Sequence, residues 1–541
     1  MGYPTKVQLI KRKESEQWYI NFPAAVAQAM EFERGETVEW IIEDKGSLVL
    51  RRHKVPSSAM KKKTQGMIGA FERLFEETRP AFAQERTFER ARILAMSSLV
   101  AMGRRTISGM LCASSQQFAD WSAAYRVFER RRFDTDALFA PISREIVGRL
   151  EPGEPLVVMM DDTLIRKRGR KVHGAGWRRD PLGPAFCTNF VWGQRFLQVS
   201  AALPDLAVAG RARGVPIDLA HAPSPRKPGK RASAQAWAEY RAQQQSMKVS
   251  SVGARRLAEL RIRMDEEHHE ENRRLIVSVD GGFTNRAVFR NLPHDTVAIG
   301  RIRKDARLSL PPVEEARPGR GRRRWYGEPM PTPEQIRRDE VLPWTTVNAF
   351  AAGKTHSFDV KTVAPVRWLG TGAQDVRLLV VRPLAYRPRN GSRLLYRNPV
   401  YLLCTDPELP LDRLLQSYLW RWEVELNFRD EKTALGVGEA QVRTPTAVEA
   451  VPALIVAAYA FLLLAGTKDK EGTSALPTPK WRNADPPVRD STPRLIGMFR
   501  TQLWGKAMGV NLKHFVGKSQ VGMKPVLFDK SLPSAVCYAF R

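Results

Sequence analysis

The chain has 541 residues, 43% of them hydrophobic, and a formal net charge of +30. That length allows two to four domains with their own cores, and the composition fits a soluble globular protein rather than a disordered one. The excess of positive charge implies a polyanionic partner, most simply nucleic acid. Cys112, Cys187, Cys404 and Cys537 are scattered without a Cys-x-x-Cys pair, which excludes a zinc ribbon or a disulfide framework and fits a reducing cytoplasm.

In residues 1–55, Lys6–Lys13 and Gln17–Phe22 alternate as strands around Glu14-Ser15-Glu16. Pro23–Met30 predicts a short helix with Pro in its first turn, and Thr37–Ile42 with Ser47–Arg51 a hairpin. This order resembles the AbrB-type swapped-hairpin DNA-binding domains. The resemblance implies two interlaced chains with the basic first hairpin, including Lys11 and Arg12, facing DNA. The plainer reading is a small β domain used for oligomerisation. The N-terminus is charged and lacks a signal peptide pattern.

Residues 56–150 form a helical DNA-binding region by pattern, and Arg104-Arg105-Thr106-Ile107-Ser108 opens a candidate recognition helix. A bundle with solvated charges is the alternative. Leu156–Met160 is an unbroken apolar run ending in Asp161-Asp162-Thr163, the pattern of a buried strand that delivers a carboxylate at its end. Phe186–Leu203 predicts two strands around Trp192-Gly193-Gln194. Residues 210–235, rich in Pro, Gly and basic residues, predict an exposed loop, and Ala236–Arg273 a long polar helix. Leu275–Val279 is a second apolar strand, ending in Asp280 before Gly281-Gly282.

Thr296–Arg303, Thr362–Leu369, Val376–Ala385 and Pro399–Cys404 predict the strands of a β-rich insertion subdomain over 291–405, with a basic loop at Arg322-Arg323-Arg324. Tyr418–Lys432 lacks Gly and Pro and predicts a helix on which Tyr418, Arg421, Glu425 and Lys432 share one stripe. Trp422 and Phe428 flank that stripe, with Trp420 on the far side, so the helix is expected to be at least half buried. A solvated face of ordinary ion pairs is the bland alternative. Ala450–Gly466 is apolar and is expected to be a buried core helix rather than a membrane span. A Pro-rich and then basic helical tail completes the chain, which divides by pattern into 1–55, 56–150, 151–290, 291–405, 406–470 and 471–541.

Two acid-terminated strands and one acid-bearing helix are a set of oxygen ligands suited to hard divalent cations and in-line displacement at phosphorus. The spacing Tyr-x2-Arg-x3-Glu-x6-Lys at Tyr418, Arg421, Glu425 and Lys432 resembles the signature of bacterial insertion-sequence transposases with an Asp-Asp-Glu metal site. The resemblance implies a multidomain α/β chain whose ribonuclease-H-like core, over 151–290 and 406–470, is interrupted by the β-rich insertion. It implies Asp162, Asp280 and Glu425 as catalytic metal ligands for Mg2+, with Mn2+ able to substitute. Asp161 competes for the first place; Asp162 is preferred because the family sets its catalytic Asp directly before Thr.

Tyr418, Arg421 and Lys432 are implied to contact phosphate at the element's ends. The family also flips a base onto an aromatic residue of the insertion, for which Trp325, Trp344 and Trp368 qualify, as they do for plain core packing. Its second motif is commonly Asp-Arg-Glu, where this chain has Asp280-Gly281-Gly282. The activity implied is cut-and-paste transposition: binding of terminal inverted repeats, cleavage, and joining of 3′ ends to target DNA. The partners are double-stranded DNA and a second copy of the chain, in a bacterial cytoplasm at the nucleoid, with no membrane. The alternatives are a stand-alone or domesticated nuclease, or an AbrB-like regulator carrying an inert body.

Overall fold

The computed structural model describes the strand residues 7–12, 15–20, 38–42 and 48–52, residues 535–537, and 66–508 apart from 181–182, 184–185, 206, 268–271, 313–323, 388–390, 469–488 and 506. The chain divides into two compact units, Met1–Gln65 and Gly66–Arg541.

The first unit contains two antiparallel hairpins. β1 (Val7–Arg12) pairs with β2 (Ser15–Ile20), and β3 (Val38–Ile42) with β4 (Leu48–Arg52). The second strand starts at Ser15, earlier than its alternation suggests, because Arg12 already pairs with Ser15. The helix expected at Pro23–Met30 lies outside the described residues.

The second unit opens with five helices: α1 (Met67–Glu76), α2 (Glu85–Val100), α3 (Ile107–Ala113), α4 (Trp121–Glu129) and α5 (Ala140–Val147). Side-chain caps fix two of them, Thr106 receiving the Gly109 N–H and Asp120 the Ser122 N–H. There follow β5 (Leu156–Arg166), β6 (Gly176–Arg179), β7 (Phe190–Pro204) and β8 (Ala212–Ala222), then α6 (Ala234–Ser246) and α7 (Val249–Ile262). Next come β9 (Leu275–Val279), the one-turn α8 (Arg286–Phe289) and β10 (Thr296–Arg301). The β-rich stretch holds β11 (Leu308–Ser309), α9 (Pro333–Arg338), β12 (Thr345–Ala351), β13 (Lys354–Trp368), β14 (Asp375–Val381), β15 (Ala385–Tyr386), β16 (Leu395–Tyr396) and β17 (Val400–Cys404). Four helices end the described chain: α10 (Leu411–Trp420), α11 (Trp422–Thr433), α12 (Pro445–Lys468) and α13 (Thr492–Trp504).

One mixed sheet organises this unit. At its centre β9 runs parallel to both β5 and β10, while β7 pairs antiparallel with β5 and carries β8 and β6. The first half of β5, Leu156–Met160, and β9 are short, mainly apolar runs because both faces are covered. Val158, Met160, Val277 and Val279 face a layer that includes α12, and Val157, Met159 and Ile276 pack with Trp420, Val424 and Phe428 of α10 and α11.

Several elements differ from their sequence reading. Phe190–Pro204 is one long strand rather than two, since it borders β5, β6 and β8. Residues 212–222, read as part of a loop, are strand β8, with Val215 and Ile217 fully buried. Its Pro216 sits at a register shift on a strand that, among the described strands, pairs with β7 alone, where a missing N–H is tolerated. Gly214 is a packing residue: a Cβ there would lie 2.7 Å from the Glu423 Cβ, so its hydrogen lets α11 rest on the strand. The expected long helix after 236 is two helices, α6 and α7. β10, assigned by pattern to the insertion, pairs parallel with β9, and β17 pairs antiparallel with β10, so the β-rich stretch extends the same sheet. α12 is long and apolar enough to cross a membrane, yet 94% of its apolar window is buried in protein, as the sequence reading expected.

Under α11 lies a buried polar network. Ser200 donates to Asn427 Oδ1 at 2.9 Å, Asn427 donates to the Gly214 carbonyl, and Gln198 bonds Glu431. Burial raises the Glu431 carboxyl to about 8. A carboxyl with a raised native pKa stays protonated in the fold while its unfolded counterpart ionises. Its favourable contribution is therefore complete below about 4.5 and is lost as pH rises towards about 8. Glu431→Gln should leave Tm nearly unchanged at about pH 5 and raise it by several degrees at about pH 8, read by thermal unfolding across that range. A Tm difference independent of pH would contradict the protonated assignment.

Candidate active site

β5 and β9 run parallel with Met160 opposite Val279, so the next residues, Asp161 and Asp280, are neighbours where β9 ends and β5 continues paired with β7 alone. Strand pleat decides which faces they take. Asp161 continues the Val157–Met159 face, towards α10 and α11, and pairs with Gln198. Asp280 follows Ser278, whose hydroxyl donates to the Ser417 carbonyl of α10 at 2.8 Å, and so takes the same face. Asp162 continues the Met160 face and forms an ion pair with Arg195 at 3.1 Å.

The expected single helix is interrupted at Arg421, between α10 and α11. From this junction the guanidinium reaches Asp161 Oδ2 at 3.2 Å and Glu425 Oε1 at 2.7 Å. Of the aromatic residues around the stripe, Trp420 and Phe428 are buried and Trp422 is not. Trp420 is buried and donates its indole N–H to the Gly210 carbonyl at 2.8 Å, while Trp422 is 58% exposed.

The electrostatics follow from this crowding. Burial, and then the Asp280 charge, push the Asp161 carboxyl up to about 7, with Arg421 acting against them. Burial also raises Asp162, opposed by Arg195. Burial raises the Tyr418 phenol against the pull of Arg421. For Arg421 itself, burial disfavours the charge, but Tyr418, Glu425 and Asp161 outweigh it and its pKa rises. Lys432 lies by Asp162 rather than by Asp161, and burial lowers its pKa.

Asp280 is oriented by the residues after it. Its Oδ1 accepts the Gly282 N–H at 2.8 Å and the Phe283 N–H at 3.1 Å, and its carbonyl accepts the Thr284 hydroxyl. A Cβ on Gly282 would lie 3.1 Å from that Oδ1, so Gly281-Gly282 is a turn shaped around the carboxylate. Two cavities open nearby, one bordered by the residue after Asp280 and the other by Asp162. One of about 1150 Å³ is lined by Gly281, Arg301, Arg303 and Lys304. Another of about 930 Å³ is lined by Asp162, Lys432 and the basic segment after β5.

The other residues singled out in the sequence are dispersed. Arg104 is exposed, but Arg105 is 4% exposed, with its Nε donating to the Ser98 carbonyl and its backbone N–H to Glu439, so its guanidinium is structural. Arg324 is exposed; Arg322 and Arg323 lie outside the described residues. Lys11 and Arg12 lie on β1, opposite Glu16 and Ser15, and their side chains are outside the description. Trp344 is flanked by Lys361 Nζ at 4.5 Å, Trp368 packs against Phe289, and Trp325 is 43% exposed. Sequence reasoning missed Arg195, which has no motif around it and meets Asp162 only through the β5–β7 pairing.

A divalent cation suits a buried carboxylate whose proton affinity is raised by a second carboxylate beside it. Among the described residues no three acidic, His or Cys side chains stand together as a metal cluster, and Arg421 lies between Asp161 and Glu425. Asp161 and Asp280 thus fit the ion as a pair, while Glu425 is tied to Arg421. In comparisons with known proteins, a family model described as DDE superfamily endonuclease matches residues 77–368, a span that includes both strand carboxylates and stops before Glu425. A search of curated proteins found no match.

If Arg421 is the charge that holds Asp161 and Glu425 together, Arg421→Ala should cost about 3 kcal/mol in metal-free urea unfolding, because it leaves two carboxylates in a desolvated site without their partner. Asp161→Asn on the same chain should recover part of that loss, with a coupling above about 1 kcal/mol in the double-mutant cycle. Additive effects would show that the bridge contributes nothing.

Proposed function

Because the chain belongs to the DDE superfamily endonuclease family, we propose that it is a metal-dependent DNA transposase whose catalytic carboxylates are Asp161, Asp280 and Glu425. The observation that carries this reading is the shared face: Arg421 joins Asp161 to Glu425, and Asp280 follows Ser278 on that side of the adjoining strand. Asp162, preferred from its place before Thr163, lies on the other face of the strand and pairs with Arg195. The order β8-β7-β5-β9-β10, with β5, β9 and β10 parallel, supports a ribonuclease-H-like core.

In this reading Asp161, Asp280 and Glu425 would hold Mg2+, and Arg421, which joins Asp161 to Glu425, would serve phosphate. Bound there, the metal supplies activation of a water or 3′-hydroxyl and stabilisation of the leaving oxygen. Arg421 offers a planar fork to phosphate oxygens and Lys432 a point charge, while the buried phenol of Tyr418 steadies the guanidinium. The backbone N–H groups of Gly282 and Phe283 hold one Asp280 oxygen in place. The hairpins of residues 1–55 would add sequence-tolerant DNA affinity and a dimer contact.

The test is cleavage and strand joining on the DNA flanking the coding sequence, in Mg2+. Asp161→Ala, Asp280→Ala and Glu425→Ala should each lower single-turnover cleavage by on the order of 10³-fold while leaving DNA binding intact. Asp162→Ala should stay within about tenfold of the parent, as expected of a residue that only supports the site. Parental cleavage by Asp161→Ala, with none by Asp162→Ala, would return the first ligand to Asp162. Parental cleavage by Glu425→Ala would remove the assignment altogether. Cleavage without joining would mark a stand-alone nuclease.

A further inference from the structure

The cavity beside Asp162 and Lys432 has a lining that metal chemistry does not require. Eight basic residues line it against three acidic ones, among them Arg104, Arg166, Arg168, Arg170 and Arg443. Its wall is the segment 166–172, held by its own contacts. The Lys167 N–H donates to the Trp192 carbonyl at 2.9 Å, Lys167 Nζ donates to the Gly438 carbonyl at 2.8 Å, and Trp192 Nε1 donates to the Gly169 carbonyl at 3.1 Å.

Trp192 also faces Trp177 across the β6–β7 ladder, with ring centroids 5.7 Å apart. Trp177 is 65% exposed on the terminal strand of the sheet, and Phe190, paired with Arg179, is 56% exposed beside it. Beyond its edge-to-face contact with Trp192 the Trp177 indole is left largely to solvent, and the neighbouring positive charge argues against a purely apolar protein partner. Aromatic faces beside a positively charged channel are the means by which proteins hold unpaired nucleic acid strands. Lys167, which bonds Trp192, lies five residues beyond Asp162 on one extended segment, roughly 16 Å at strand rise.

Building on the DNA-processing reading above, we propose that this cavity, on the Asp162 side of β5, is a track for a single DNA strand, and that the Trp177–Trp192 pair beside it stacks an unpaired base of that strand. Arg168 and Arg170 would follow the phosphates, and the base is held by its π-face, so the subsite tolerates any sequence.

The experiment measures binding of the full chain, without Mg2+, to a labelled blunt duplex and to the same duplex carrying a short single-stranded tail. The parent should prefer the tailed DNA. Trp177→Ala should weaken that complex roughly 5- to 100-fold, with the blunt complex unchanged, and Trp177→Phe should retain most of the preference. Equal affinities of parent and Trp177→Ala for tailed DNA would overturn the proposal. A changed sedimentation coefficient with unchanged DNA affinity would also overturn it, and would give the indole to a second copy of the chain. Because no cleavage is read, a failed catalytic assignment leaves this result intact, and a failed track leaves the carboxylate assignment intact.

Discussion

The parallel pairing of β5 with β9 is the constraint on which the site depends. With Met160 opposite Val279, two carboxylates are delivered side by side where the apolar β5–β9 pairing ends. In water such neighbours repel weakly; here loss of solvation on burial, and then the Asp280 charge, raise the Asp161 carboxyl to about 7. A positive charge must answer it. The chain meets this need by interrupting a helix at Arg421 and pointing the guanidinium into the gap.

The helix can approach so closely because the layer beneath it is shaped to receive it. Gly214 removes the side chain that would collide with Glu423, and Asn427 binds the same glycine's carbonyl. Trp420 anchors the end of α10 through the Gly210 carbonyl. Packing and polar bonding therefore act on the same few residues: the contacts that bury α11 also aim Arg421 and Glu425. Burying Glu431 in that layer is compatible with the fold because the carboxyl is kept neutral.

The catalytic face and the basic cavity meet at β5. Asp161 turns to one side and Asp162 to the other, so a single strand carries a carboxylate of the candidate metal site and a lining residue of the cavity. Lys432 follows Asp162 rather than Asp161, so the four-residue stripe of the helix serves both regions. Lys432 lies seven residues beyond Glu425 on one face of an ideal helix, and strand twist separates what the helix aligns.

What the amino-acid sequence determined by itself was local. Unbroken apolar runs ending in Asp marked β5 and β9, the absence of Gly and Pro marked the helices around Arg421, and the apolar 445–468 stretch marked a core helix. These signals rest on burial and backbone preference, which act over a few residues. Tertiary structure decided the rest. Whether Asp161 or Asp162 faces the helix depends on pleat relative to partners that lie more than a hundred residues away in sequence. Gly214 and Pro216 look like loop punctuation until the helix that needs the glycine and the unpaired strand side that accepts the proline are in place. β10 has the same composition in an insertion as in a core strand; only its pairing with β9 distinguishes the two. Arg195, Trp177 and Trp192 carry no pattern of their own, because their surroundings come from cross-strand register, a long-range property that no short window of sequence contains.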